Sequence, residues 1–362
     1  MARIILLVGL SSAIAFAADP LTFGASASLD YRFISGPKVP TNPSALGINS
    51  LGLEVAAKAV VDIGHGASFT IKACGGCHGI ELDQAFGEVL YVDALNVRAG
   101  RINVPFGEFN TRHDPANFVT PSKPLPYAMG DMLFYTPQGF NLGIVPTPFI
   151  DNGVEVFGTF NLGPKAQLDY SLYAGKGLAG TNDYDFASSR AYLDNNRTPS
   201  AGARVVLAGA DWAVGGSVNA GAYDPKDSLL SVMAGVELYL RLGRVTFRGE
   251  GLLRRTDLDP GAGYAYEALD TFIQKVGWYG QLDFELNRKF VLAVRSDGLH
   301  RFGLPLPGSD LSPSAGMQRQ TVAGLFRITE NFALKADYEL WTFSGVAYQT
   351  RHVARLALVF GY

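Results

Sequence analysis

The chain has 362 residues, of which 48% are hydrophobic and 17% charged, with a formal net charge of -3. That charge leaves no electrostatic footprint for nucleic acid, and the charged fraction falls below the roughly 25% typical of soluble domains. The sequence has no G-x-S-x-G, H-E-x-x-H or P-loop pattern, so no enzyme is indicated.

Residues 1–17 read as a secretory signal peptide, with Arg3 as the positive n-region, an apolar stretch from Ile4, and Ala15-Phe16-Ala17 as the cleavage site. The rival reading is a membrane anchor, but the apolar run over 4–18 is short of the roughly 20 residues needed to span. The mature chain is expected at 18–362, as one domain, since no linker-like shift in composition divides it.

Period-two alternation dominates the mature chain. It predicts strands over 21–33, 48–62, 67–74, 80–92, 95–103, 152–160, 166–176, 200–209, 212–222, 229–241, 244–256, 272–286, 289–299, 318–328, 332–344 and 350–362. Connections alternate between tight and long, as in bacterial outer-membrane barrels with short periplasmic turns and long external loops. The expected fold is all-β: a transmembrane antiparallel barrel of about 16 strands, with both ends periplasmic.

Early in the chain, Cys74, Cys77 and His78 form C-x-x-C-H, the attachment pattern for c-type haem. The pattern occurs once, at the expected tip between two short strands. No second axial ligand is marked. A disulfide across the glycine turn competes, because these are the only two cysteines and the compartment is oxidising. A metal or other thiol role is the third reading. The favoured expectation is a disulfide and no cofactor, with haem c at Cys74, Cys77 and His78 as the alternative.

The segment 104–151 holds 8 of the 19 prolines, among them Pro105, Pro115 and Pro126. Proline cannot donate to a ladder, so this is not a strand pair. Its length points to a functional loop, and its aromatic residues (Phe109, Phe118, Tyr127, Phe134, Tyr135, Phe140) argue against disorder. A barrel this wide is not filled by its own side chains. The segment is therefore expected to fold into the lumen as a constriction, the alternative being a loop on the rim or at an oligomer contact.

The polar strand faces carry Arg98, Arg204, Arg244, Arg248, Arg295, Arg319, Arg327 and Arg355, and the candidate lumen set adds Arg101, Arg112 and Lys123. Guanidinium forks suit phosphate or carboxylate. Carboxylates such as Asp169, Glu237, Glu250, Asp283, Asp337 and Glu339 fall on the same faces. A cross-strand network that stiffens the wall competes with an anion-favouring ladder. The chain closes on an alternating strand whose apolar face ends in Phe360 and Tyr362. That ending resembles the assembly signal read by the barrel assembly machinery.

The run 95–107, with Gly100, Arg101, Pro105, Phe106 and Gly107, resembles the strand that precedes the inward-folding loop of phosphate-selective-type porins, and 88–92 is similar to their neighbouring strand. The resemblance implies a porin in outer-membrane lipid, passing small solutes or ions, and a homotrimer. Phosphate selectivity does not carry over, because Lys123 is the only lysine of the loop, alongside Arg112. The leading reading is a diffusion channel. A haem-carrying electron conduit and an exported soluble glycan-binding β-protein are the alternatives.

Overall fold

Alternation along the chain becomes sixteen antiparallel strands, each hydrogen-bonded to its neighbours in sequence, with β1 and β16 paired to close the barrel. The structure, a computed structural model, describes residues 21–35, 50–76, 79–127, 143–180, 195–258, 271–302, 314–345 and 350–362. The signal peptide expected at 1–17 lies outside the described residues, as do Cys77 and His78.

The strands are β1 (Leu21–Ser35), β2 (Ser50–Gly64), β3 (Ala67–Gly76), β4 (Gly79–Val92), β5 (Leu95–Asn103), β6 (Ile150–Asn161), β7 (Gln167–Gly175), β8 (Ser200–Ala208), β9 (Trp212–Ala222), β10 (Leu230–Leu242), β11 (Val245–Asp257), β12 (Phe272–Glu285), β13 (Phe290–Phe302), β14 (Ser314–Arg327), β15 (Phe332–Ser344) and β16 (Arg351–Gly361). The number agrees with the expectation; several ends do not. β13 and β14 pair on through Arg301↔Ala315 and Phe302↔Ser314, beyond the bounds of 299 and 318 predicted for them. Gly298 and Gly316 interrupt the apolar alternation there and hide the continuing ladder.

Period two sorts each strand into two faces. On β15, Phe332, Leu334, Ala336 and Tyr338 are exposed, while Lys335, Asp337, Glu339 and Trp341 are buried. On β16, Leu356 and Leu358 are exposed and Val353, Arg355, Ala357 and Val359 are buried. The exposed apolar face is the outside of the barrel, the reverse of a soluble protein, and it does not fit the soluble glycan-binding alternative. Ring pairs such as the stacked Phe290–Phe326 (4.6 Å) and the tilted Phe332–Phe360 (5.0 Å) lie at the turn-side end, where aromatic girdles sit in such barrels.

The last strand closes the ring. Phe360 lies opposite Ala27 on one side and Phe332 on the other. Tyr362 and Ala25 exchange both backbone hydrogen bonds, at 2.8 and 3.0 Å.

Candidate functional site

Among its described residues the β5–β6 connection has three short helices: α1 (Glu108–Thr111) and the 3-10 turns Pro115–Asn117 and Leu125–Tyr127. It leaves β5 through Pro105, Phe106 and Gly107. Gly107 has φ 71°, the left-handed region that favours glycine, and a Cβ there would stand 2.6 Å from Glu250 Oε2 and run into the Tyr127 hydroxyl. The residues 128–142 lie outside the described residues.

Side chains on the inward face of the wall anchor the described part of this segment. Glu250 of β11 accepts from the Phe109 N–H at 2.8 Å, from Tyr279 Oη at 2.8 Å, and from Tyr127 Oη. Arg295 of β13 donates to Thr120 Oγ1 at 2.7 Å, Ser122 O at 2.8 Å and Ser122 Oγ at 2.6 Å. Asp297 accepts from the Leu125 N–H at 3.0 Å. Lys335 of β15 donates to Pro115 O at 2.6 Å and to Phe118 O. Across the lumen, Lys72 of β3 reaches Asp114 at 2.5 Å, and Ser217 of β9 accepts from the Gly107 N–H at 3.1 Å.

Apolar packing accompanies these bonds. Phe106, Phe109 and Tyr127 are buried against Leu252, Met317 and Trp341, which point inward. Burying side chains of this size contributes about 1.5–3 kcal/mol each, so the segment carries its own core inside the barrel. Phe109 and Tyr127 lie 5.1 Å apart, tilted.

The expected lumen cations occupy three settings. Arg295 and Arg319 are wholly buried: Arg319 pairs with Asp297 at 2.5 Å and with Glu339 at 3.1 Å, and Arg295 with Asp297 at 3.2 Å. Arg355 reaches the same Glu339 at 3.4 Å. A second group is partly open: Arg98 with Glu155 (3.1 Å) and Glu88, Arg204 with Glu237, Arg248 with Asp283 (2.9 Å), Lys123 with Glu54 (3.4 Å), and Arg112 with Glu108 (2.5 Å). Arg98 also lies over the rings of Phe86 and Phe157.

The third setting corrects the expectation. Arg244 is exposed and Arg327 half-buried at the turn-side end, donating to Leu286 O at 3.3 Å and Arg288 O at 3.0 Å. Arg101 is buried, beyond the break in alternation at Gly100 (φ 130°), and its Nε donates to Leu82 O at 2.6 Å. Lys72 and Lys335, absent from the candidate set, hold the loop instead. Their signal was the alternation of Lys72 with Ile71 and Ala73, and of Lys335 with Leu334 and Ala336.

Cys74 also departs from its expected place. β3 continues through Gly76, so Cys74 sits within the ladder opposite Ala56 and Glu81 rather than at a tip. Among the described residues its thiol is in no disulfide, and Cys77, the expected partner, lies outside them.

Among the described residues burial lowers the intrinsic basicity of His113, and the adjacent Lys72 charge adds to this, bringing the imidazole to about 4. Burial opposes ionisation of its neighbour Asp114, yet His113 and Lys72 hold that carboxyl below its ordinary range.

Fold and site together define a closed sixteen-strand barrel whose lumen is partly occupied by an inserted loop. Solved structures share this architecture at low identity. OmpF of Salmonella typhi, in complex with daunomycin, is 10% identical with a TM-score of 0.61, over 94% of this chain and 97% of that one. OmpT of Vibrio cholerae, an outer membrane protein folded in vitro and in its trimer form, is 9% identical with a TM-score of 0.58, over 94% and 99%. The outer membrane channel DcaP of Acinetobacter baumannii is 10% identical with a TM-score of 0.54, over 94% and 97%. No protein-family model and no curated relative matches the chain.

Proposed function

We propose that the chain is an outer-membrane channel for diffusion of small hydrophilic solutes or ions, exported by its signal peptide and inserted by the barrel assembly machinery. The observation that carries this is the division of the lumen. One side is closed by the docked loop, with Arg319, Asp297 and Glu339 at 0% side-chain exposure. The other keeps charged groups in reach of solvent, with Arg98 and Arg248 at 26%, Lys123 at 24% and Glu54 at 32%.

Passage through such a space needs no chemistry, only width and fixed charge. The open groups on the loop are Glu108, Arg112, Asp114 and Lys123; those on the wall include Glu54, Arg98, Arg204 and Arg248. The signs are mixed and mostly paired, which favours weak selectivity over a dedicated anion ladder. The likeness to OmpF and to the channel DcaP supports the same reading.

Swelling of proteoliposomes in neutral sugars of increasing size tests it. The expected result is swelling whose rate falls steeply with solute size. Liposomes that hold folded protein and do not swell in any of the sugars would contradict the proposal.

A further inference from the structure

The outward face of β8–β12 carries a groove of about 590 Å³ on the side of the wall that meets lipid. One rung of the ladder along it runs Val205, Gly216, Val236, Gly251 and Trp278, each opposite the next. Packing does not call for the glycines. Among the described residues, a Cβ on Gly251 would meet only Val236 Cγ2, at 3.6 Å, and one on Gly216 only Gly235 O, at 3.4 Å. The ring of Trp278 leans the other way, over Gly298 of β13, where a Cβ would stand 2.8 Å from its Nε1. The cleft between Gly216 and Trp278 is therefore open.

Above this groove the same face of β11 carries a cation. Arg255 follows Gly251 and Leu253 on the outside, with 55% of its side chain exposed. It lies ten positions beyond Val245, at the turn-side end of the strand. At about 3.3 Å per residue and a tilt near 40°, that is roughly 25 Å, the full height of the apolar band, so Arg255 stands at the level of the external headgroups. Gln274 lies opposite it on β12, and the outward residues at that height on β8, β9 and β10 are Ala201, Ala220 and Val232. The Phe272 ring lies 4.5 Å from the guanidinium. Asp257 approaches Nε at 3.5 Å. A guanidinium has five N–H donors, so one carboxylate at Nε does not saturate it.

We propose that this face binds one phosphate-bearing lipid of the external leaflet, with its headgroup at Arg255 and Gln274 and an acyl chain in the groove beneath. A guanidinium fork matches phosphate, and the amide supplies a further donor. Residues directly opposite on an antiparallel pair have Cβ atoms about 5 Å apart, close enough to share one phosphate. The groove continues up to this pair along Leu253 and Val276, so head and chain sites are contiguous. A single cation above a wholly apolar cleft matches an amphiphile with one charged end. A chain lying on Gly216 and Gly251 also touches the wall more closely than branched side chains would allow. The inference rests on the barrel's place in a bilayer and not on its conductance.

The test is native mass spectrometry of the folded protein from detergent micelles, titrated with dimyristoyl phosphatidic acid and, in parallel, with dimyristoyl phosphatidylcholine, which has the same chains and no net charge. The expected result is one saturable site that favours phosphatidic acid. Arg255→Gln is expected to weaken phosphatidic acid about fivefold, as for the loss of one exposed ion pair, and to leave phosphatidylcholine unchanged. Gly251→Leu, which fills the groove, is expected to weaken both lipids. Gly324→Leu, at an outward glycine of β14 away from the groove, is the control and is expected to change neither. Heat-modifiable migration verifies that each variant is folded. Equal affinity of the native protein for the two lipids, or phosphatidic acid binding unmoved by Arg255→Gln, would overturn the proposal. So would an oligomer of the chain that is lost in Gly251→Leu while the native protein retains no lipid, since a second copy would then cover the groove.

Discussion

Glu250 on the inward face of β11 accepts a hydrogen bond from the backbone N–H of Phe109 at 2.8 Å, joining the wall to a loop 141 residues earlier in the chain. The same carboxylate takes the hydroxyls of Tyr127 and Tyr279, so one side chain fixes both ends of the described loop segment.

Replacement of Glu250 by alanine leaves the Tyr127 hydroxyl and the Phe109 N–H without this acceptor and Tyr279 with only its 3.3 Å bond to Glu108. Hydrogen bonds to charged groups contribute about 1.5–3 kcal/mol each, and orphaned partners add to the loss. Glu250→Ala is expected to lower the temperature at which the folded band is lost on heating by several degrees. An unshifted transition would contradict the anchoring role.

Gly107 permits the loop to leave β5 at φ 71°. Gly107→Ala places a methyl group against Tyr127 and Glu250. Backbone strain alone costs about 1–3 kcal/mol, and the Tyr127 anchor is displaced as well. The variant is expected to lose protease protection within 104–127 while the barrel stays folded. Protection equal to that of the native chain would contradict this account.

Two arginines on the same kind of strand face are expected to behave oppositely. Arg98 is 26% exposed, so Arg98→Gln is expected to change stability by under about 1 kcal/mol and to shift the reversal potential in a salt gradient toward cation preference. Arg319 is wholly buried between Asp297 and Glu339. Arg319→Gln is expected to cost about 3–5 kcal/mol, because two buried carboxylates each lose one of their two arginine partners, and to change selectivity less. Equal effects of the two on selectivity would show that the lumen is not divided as described.

His113 supplies a pH dependence. Its ordinary value is 6.5 and its docked value is about 4, lowered by burial and then by Lys72. Between these values the undocked loop binds more protons than the docked one, so docking is strongest above 6.5 and weakens as pH falls toward 4. Asp114 is held below its ordinary 3.8 and adds only at lower pH. Proteolysis of the loop at stepped pH is expected to accelerate over that window in the native chain and less steeply in His113→Gln. The same pH response in both would remove His113 from the explanation.

The barrel was legible because lipid and lumen impose opposite demands on alternate residues. Phe332 to Leu340 shows this in full, and Tyr362 at the end of the closing strand agrees with it. Legibility failed where a third demand intruded. Leu252 and Met317 point inward and are apolar because the loop packs on them, a requirement that alternation cannot anticipate. Gly298 and Gly316 removed the side chains that would have marked the upper ends of β13 and β14. The arginines were found by parity, which does not tell a buried one such as Arg319 from an open one such as Arg98. That Lys335 would hold the loop was not readable, since it meets backbone carbonyls of Pro115 and Phe118 that no strand pattern brings near it.

The central claim is a diffusion channel narrowed by a docked loop, and single-channel recording in planar bilayers tests it most directly. The native chain is expected to give discrete conductance steps, and Glu250→Ala combined with Lys335→Met is expected to give larger and noisier ones. Folded native protein that produces no steps, or a double variant with native steps, would contradict the account.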